Sequence, residues 1–527
     1  MSKIKIHLST LFIVFSIGVF AQGNSFKNEK TKATYLNLFS ETIQTKSGKV
    51  SGYNEGGINI FKGIPFAAAP VGALRWKAPQ PVKAWSGVLE CKKFGPSPIQ
   101  NEPIPFMCWS TEFLIPKEPI SEDCLYLNVW SKEKSNKKPV LVYIYGGGFR
   151  SGGAGCPIYD GKAMAEKDIV FVSINYRVGV FGFLAHPELT KESNYKASGN
   201  YALLDMIAAL KWVKENIASF GGDPDKVTIA GQSAGAFAVS HLCATPLAKG
   251  LFVGAIAESG GSILPSSLRP NLGLEEAEKI GMEFAKKLNA VSIEELRNKS
   301  AEEILKSAGG LSSPIEDGYV LPSSIAEIYT RGKQNDVAIL LGWNADDYIM
   351  GKPLSGREFK DQLEKQYGAK SIELMKFYPI TNEAISIESQ KAFSRDQSFG
   401  VQGYAWAHAQ KNTGKSKVFV YNFNRKLPAY NIETEFGAFH SSEIVYAYNN
   451  LSTLDRPWKE TDKFIASQMS SYWANFIKTR NPNGTGLVNW PIFESREENI
   501  LILDEKIEAK KLPSKEQLLF IASLFKK

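Results

Sequence analysis

The chain has 527 residues, 43% of them hydrophobic and 22% charged, a balance that excludes a disordered or fibrous protein and allows a sizeable buried core. Its formal charge of +8 is a small excess for this length, and no block of consecutive Lys or Arg marks a nucleic-acid-binding arm. The five cysteines, Cys91, Cys108, Cys124, Cys156 and Cys243, leave at least one unpaired within the chain, and their spacing fits no metal site.

At the start, Lys3 and Lys5 precede an apolar run over 11–20, with Val19 and Ala21 ahead of Gln22. This pattern predicts a secretory leader over 1–21 and an exported mature chain, 22–527, folded as one catalytic domain in the periplasm or outside the cell. The run falls short of the about twenty apolar residues of a membrane span, and no later stretch reaches that length, so stable membrane insertion is not expected. Buried strands are predicted over 140–145, 169–175, 227–230, 337–341 and Val418–Phe423, all apolar and rich in β-branched or aromatic residues. Helical spacing marks 202–219 and 463–478, the second stopped by Asn481-Pro482-Asn483-Gly484. Strands alternating with helices imply a mostly parallel sheet covered on both faces. Residues 268–307 turn charged and helical without a strong strand, as a helical cap inserted beside a site would.

The chemistry concentrates after the strand at 227–230, in Gly231-Gln232-Ser233-Ala234-Gly235 followed by a helix. A strand, this G-x-S-x-G turn and a helix hold a serine in a strained conformation with its hydroxyl exposed above the sheet. Upstream, Gly146-Gly147-Gly148 follows the strand at 140–145, and glycines there let backbone N–H groups approach an anionic oxygen. With the N–H of Ala234, the amides of Gly147 and Gly148 are expected to form an oxyanion hole. A serine needs a base, and His440 fits the chain order serine, acid, histidine, whereas His186, His241 and His408 read as structural and His7 falls in the leader. The adjacent carboxylates Asp346 and Asp347, after the strand at 337–341, are the candidate acids. No metal or organic cofactor is required by such a site.

Together with these motifs, Phe61-Lys62-Gly63-Ile64-Pro65, Pro70-Val71-Gly72 with Arg75, the run from Ser121-Glu122-Asp123-Cys124 to Asn128, Asn175-Tyr176-Arg177, Phe220 to Pro224 and Tyr472-Trp473 resemble the type-B carboxylesterases, which include cholinesterases, bacterial para-nitrobenzyl esterases and fungal lipases. The resemblance spans nearly the whole mature chain. It implies an α/β-hydrolase fold and hydrolysis of small-molecule carboxylic esters through an acyl-enzyme, with Ser233 as nucleophile, His440 as base and Asp347 as acid. In that family a glutamate followed by glycine is usual where this chain has Asp347-Tyr348. It further implies Ser259 as a hydroxyl behind the acid, and an Arg75–Glu122 ion pair. The family's disulfide partner of Cys124 aligns near Pro98, leaving Cys91 and Cys108 as alternatives. Leu114 stands where cholinesterases carry their choline-binding tryptophan, and Gln232 where they carry glutamate, so cholinesterase activity is not expected. Residues 104–116 could serve as a lipase flap or as a pocket wall. A lipase, thioesterase or amidase on the same site, or a non-catalytic cholinesterase-like binding protein, are the competing readings.

Overall fold

Strands whose residues are apolar at every position need cover on both faces of the sheet, and helices provide it here. The computed structural model describes residues 42–525 apart from 118, 135 and 266–271, so the leader expected at 1–21 and part of the cap expected at 268–307 lie outside the described residues. The main sheet has eleven strands: β1 (Tyr53–Glu55), β2 (Ile58–Pro65), β3 (Tyr126–Lys132), β4 (Lys138–Ile144), β5 (Val170–Ile174), β6 (Gly222–Gln232), β7 (Gly254–Glu258), β8 (Ala338–Asn344), β9 (Val418–Phe423), β10 (Asn499–Leu503) and β11 (Glu508–Lys511). Their spatial order is β11-β10-β9-β8-β7-β6-β4-β5-β3-β2-β1. Pairing is parallel from β10 through to β5 and antiparallel at both ends, the mixed but mostly parallel sheet of an α/β-hydrolase fold. Every residue of β5, β7 and β8 is buried. The strand order reverses at β4, with β5 on one side and β6 on the other, so the carboxyl ends of β4 and β6 flank a switch point where such sheets bind ligands.

The helices that frame the sheet are α1 (Tyr201–Asn216), α2 (Ala234–Ala244), α3 (Leu274–Lys287), α4 (Ile293–Arg297), α5 (Ala301–Ser307), α6 (Val401–Thr413) and α7 (Glu460–Thr479). α2 packs on β6 and β7, α6 on β8 and β9, and α7 on β4 and β6. All eleven residues of α2 are buried, which its run of Ala, Val, Phe and Leu allows. The charged stretch after β7 is helical as expected: α3, α4 and α5 bury Phe284, Ile293, Leu296 and Ile304 with Trp76, Phe181 and Leu184 in a cluster separate from the main core. Arg75 ties them down, clasping Glu122 from Nε at 2.7 Å and Nη2 at 2.5 Å while Nη1 donates to the carbonyls of Arg297 and Lys299 at 3.0 and 2.7 Å.

Neither disulfide partner considered for Cys124 is used. All five cysteines are free and buried, and burial pushes the thiols of Cys91, Cys108 and Cys156 up to about 12. Among the described residues no helix is long and apolar enough to cross a membrane.

A buried ion pair links the end of β5 to α1. After β5, Arg177 donates from its backbone N, Nε and Nη2 to the Asp205 carboxylate on α1 at 3.1, 2.8 and 2.7 Å, with both side chains buried. Removing one member strands the other charge in a low dielectric, which costs about 3–5 kcal/mol. Asp205→Ala is therefore expected to lower the urea midpoint of unfolding by that equivalent, and an unchanged midpoint would refute the role given to the pair.

Candidate active site

β6 ends at Gln232 and α2 begins at Ala234, so Ser233 alone turns the chain, at φ 56° and ψ −123°. A non-glycine residue in such a region costs on the order of 1–3 kcal/mol and persists only where its surroundings over-determine it. The flanking glycines supply that constraint: a Cβ on Gly235 would lie 2.0 Å from the Ile144 carbonyl oxygen, and one on Gly231 only 2.5 Å from the carbonyl carbon of Gly235. Strand and helix thus meet at a distance no side chain permits. The Ser233 amide donates to the Glu258 carbonyl at 2.9 Å, and the residue itself is half-buried between buried neighbours.

β4 delivers the glycine triplet to the same place. Tyr145 stacks on Tyr176 with centroids 4.4 Å apart, and each hydroxyl donates to the other's backbone carbonyl, which anchors the chain just before Gly146. A Cβ on Gly146 would sit 3.0 Å from Ser233 Cβ, so the loop lies against the serine. Gly147 and Gly148 take φ of 112° and 65° and are exposed. The opening N–H groups of α2, Ala234 first among them, have no intrahelical partner and carry the positive end of the helix dipole.

The histidine and its acid are aligned by backbone pairing. Asp346 and Phe439 form a parallel bridge, reinforced by the Asp346 amide donating to the Ala438 carbonyl at 3.0 Å and the Ala438 amide donating to Asp346 Oδ2 at 2.8 Å. One residue further along each chain, Asp347 meets His440, with Oδ1 and Nδ1 2.6 Å apart. Asp347 Oδ2 accepts from the Asn344 amide at 3.0 Å, and both Asp347 and His440 are buried. Asp346 is thus occupied in stitching the two loops, and Asp347 is the carboxylate on the histidine. Tyr348 turns its ring to Lys391, whose Nζ lies 5.6 Å from the centroid.

His440 is framed by aromatics. Phe399 stacks on it at 4.4 Å and 20°, delivered by a π-helical turn, Asp396–Gly400, of the kind that recurs at functional sites. Trp109 stands edge-on at 5.8 Å and donates from Nε1 to Ser441 Oγ at 3.2 Å. Trp109 and Phe113 turn inward from the 104–116 segment as a wall, whereas Ile104, Phe106 and Met107 remain exposed. Nothing in the sequence pattern marked Phe399. The other histidines hold structure: His186 Nδ1 accepts the Glu188 amide at 3.2 Å, His241 Nδ1 meets the Phe237 carbonyl at 2.6 Å, and His408 faces Glu498 at 3.3 Å. Ser259, expected as a hydroxyl behind the acid, is buried with no hydrogen-bond partner at Oγ among the described residues, and its amide donates to the Gly342 carbonyl at 2.9 Å.

Two further carboxyl groups lie beneath the pair. Glu258, at the end of β7, receives Trp473 Nε1 at 2.8 Å and the Tyr448 hydroxyl at 3.2 Å; burial outweighs both bonds and pushes its carboxyl up to about 8. Glu443, bonded to Asn344, is held well above the carboxylate range by burial first and then by the charges of Glu258 and Asp347. Between the unfolded value near 4.3 and a folded value about 8, Glu258 binds a proton only in the native state, so its contribution to stability is full below the lower value and is lost as pH rises through the upper one. Glu258→Gln is expected to remove roughly 1.4 kcal/mol per pH unit from the fall in stability between pH 5 and 7. A variant whose unfolding midpoint keeps the parent's pH slope would show Glu258 to be ionised in the fold.

Comparison with known proteins places the chain in a family. The Carboxylesterase family model matches residues 40–521. Fumonisin B1 esterase of Sphingopyxis macrogoltabida is 36% identical, covering 86% of this chain and 85% of its own, and para-nitrobenzyl esterase of Bacillus subtilis (strain 168) is 35% identical over 90% and 97%. A solved PNB esterase superposes with a TM-score of 0.78 at 32% identity over 91% of this chain and 99% of its own. The carboxylesterase of Geobacillus stearothermophilus gives 0.78 at 32% identity over 92% and 100%. The chain belongs to the carboxylesterase family.

Proposed function

We propose that the chain is a serine carboxylesterase that hydrolyses small-molecule carboxylic esters through an acyl-enzyme, exported behind the leader at 1–21, with the helices within 268–307 bordering the site as a cap. The observation that carries the reading is the bonded Asp347–His440 pair at the sheet edge that also presents Ser233 in a strained turn. In the first half-reaction His440 Nε2 takes the proton of Ser233 Oγ as that oxygen bonds to the ester carbonyl carbon. The carbonyl oxygen becomes an oxyanion that the N–H groups of Gly147, Gly148 and Ala234 stabilise. As the carbon–oxygen bond to the alcohol breaks, Nε2 returns its proton to the departing oxygen. A water then repeats both steps on the acyl-serine, releasing the acid and restoring the serine. Asp347 keeps the other ring proton on Nδ1 and favours the imidazolium that forms in each half.

A lipase reading draws support from Ile104, Phe106 and Met107, which are 68%, 54% and 44% exposed at the tip of the 104–116 segment. Para-nitrophenyl esters of increasing acyl length separate the two, since a carboxylesterase peaks at short chains and a lipase at long ones. Ser233→Ala is expected to lose about a million-fold in kcat, and Asp347→Asn about ten-thousand-fold, from a histidine left in the wrong tautomer. Ester turnover that survives in Ser233→Ala would overturn the assignment.

A further inference from the structure

Arg75, Arg177, Arg297, Arg395, Arg425 and Arg456 each hold a carboxylate within 3.0 Å. Arg150, two residues beyond the glycine triplet, has no carboxylate partner among the described residues and is exposed. Its backbone is nevertheless fixed. The amides of Arg150 and Ser151 both donate to the Gly147 carbonyl, at 3.0 and 3.1 Å, and the preceding Phe149 is buried against Phe183 with centroids 5.2 Å apart. Just beyond, the buried side chain of Gln100 accepts from the Gly152 amide and donates to its carbonyl, at 2.8 Å each.

The side chain is fixed at one atom. Nε donates at 2.8 Å to Oγ of the buried Ser312, in the segment that follows α5, and the two terminal nitrogens make no hydrogen bond among the described residues. That segment offers them no cover. A Cβ added to Gly310 would meet nothing nearer than Arg150 Nη2, at 3.8 Å, and one added to Gly309 would meet nothing within 4 Å. A guanidinium tethered through Nε keeps the edge that carries Nη1 and Nη2, whose parallel N–H groups match the two oxygens of a carboxylate. The positive charge is thus oriented and left open on the loop that carries Gly147 and Gly148.

We propose that Arg150 is a specificity-determining residue that binds a carboxylate of the substrate, so that the site prefers esters carrying a free carboxylate to neutral esters of the same length. The inference rests on the proposed ester hydrolysis at Ser233 and names its substrate class. Arg150 shares one turn of chain with two of the proposed oxyanion donors, so a carboxylate held there fixes the ester carbonyl relative to them. The acid half and the alcohol half of an ester would present the same two oxygens to the fork.

The test uses the full chain and reads acid release at constant pH. Monoethyl adipate against ethyl hexanoate puts the charge on the acyl side, and 4-acetoxybutyrate against butyl acetate puts it on the alcohol side. For at least one pair, the ratio of kcat/KM, charged over neutral, is expected to fall by about ten-fold in Arg150→Met and to recover in part in Arg150→Lys, which restores the charge without the fork. Added salt is expected to erode the parent's ratio and leave that of Arg150→Met in place, because it screens an exposed charge pair. Each ratio is taken within one enzyme, so a loss of folded protein does not move it. A mere tie between the loop and Ser312 would change both esters of a pair together, and ratios that hold for both pairs overturn the proposal. Binding of the two charged esters to Ser233→Ala, followed by calorimetry with and without Arg150→Met, reads the contact without turnover. Binding that depends on Arg150 in a chain whose parent shows no Ser233-dependent turnover would count against the esterase reading alone.

Discussion

A serine at φ 56° holds its place because the chain around it has no room to relax. Gly231, Gly235 and the end of β4 meet at separations that admit only hydrogen in place of a Cβ, and Gly146 presses on the serine from the other side. Everything else in the site is arranged around this fixed point. The switch in strand order at β4 brings the glycine loop next to it, and α2 begins one residue later. The strain is local, and the buried sheet and helix that bear it are rigid, which is why one residue can carry the cost.

The charge distribution beneath the serine follows from burial. Three carboxyl groups, Asp347, Glu258 and Glu443, lie within the same interior region, and one of them bonds a histidine. Solvation cannot support several anions there, and the two glutamates respond by retaining protons. The aromatic frame of Phe399 and Trp109 adds no competing charge and fills the space around the ring.

Much of this was legible in the sequence, and the remainder fails for identifiable reasons. The strands at 140–145, 169–175, 337–341 and Val418–Phe423 announce themselves because burial on both faces demands unbroken apolar runs, and β4, β5, β8 and β9 lie there. β7 was not anticipated: Gly-Ala-Ile-Ala-Glu is short, small and ends in a charge, and it is a strand because its neighbours cover it. The serine and the glycine triplet are readable because their motifs encode backbone geometry, whereas the histidine is picked out by its place in the chain order. Asp346 and Asp347 are not distinguishable by type, and the choice between them is made by a single backbone bridge to Phe439. Phe399 reaches the site through a π-helical turn, a change of winding that leaves no mark in residue spacing.

The wall segment that packs Trp109 against the histidine begins and ends at a short parallel pairing, Ser97–Pro98 with Ile120–Ser121, where the Ser97 amide donates to the Pro119 carbonyl at 2.8 Å. Arg456 adds a clasp to Glu112 at 3.0 Å. These ties stand where a covalent bridge from Cys124 was anticipated, and the thiol remains buried and protonated. A loop closed in this way gains none of the chain-entropy stabilisation of a cross-link, but it has no bond for a reductant to cut. The wall of the site is therefore held by backbone pairing and an ion pair rather than by a cross-link.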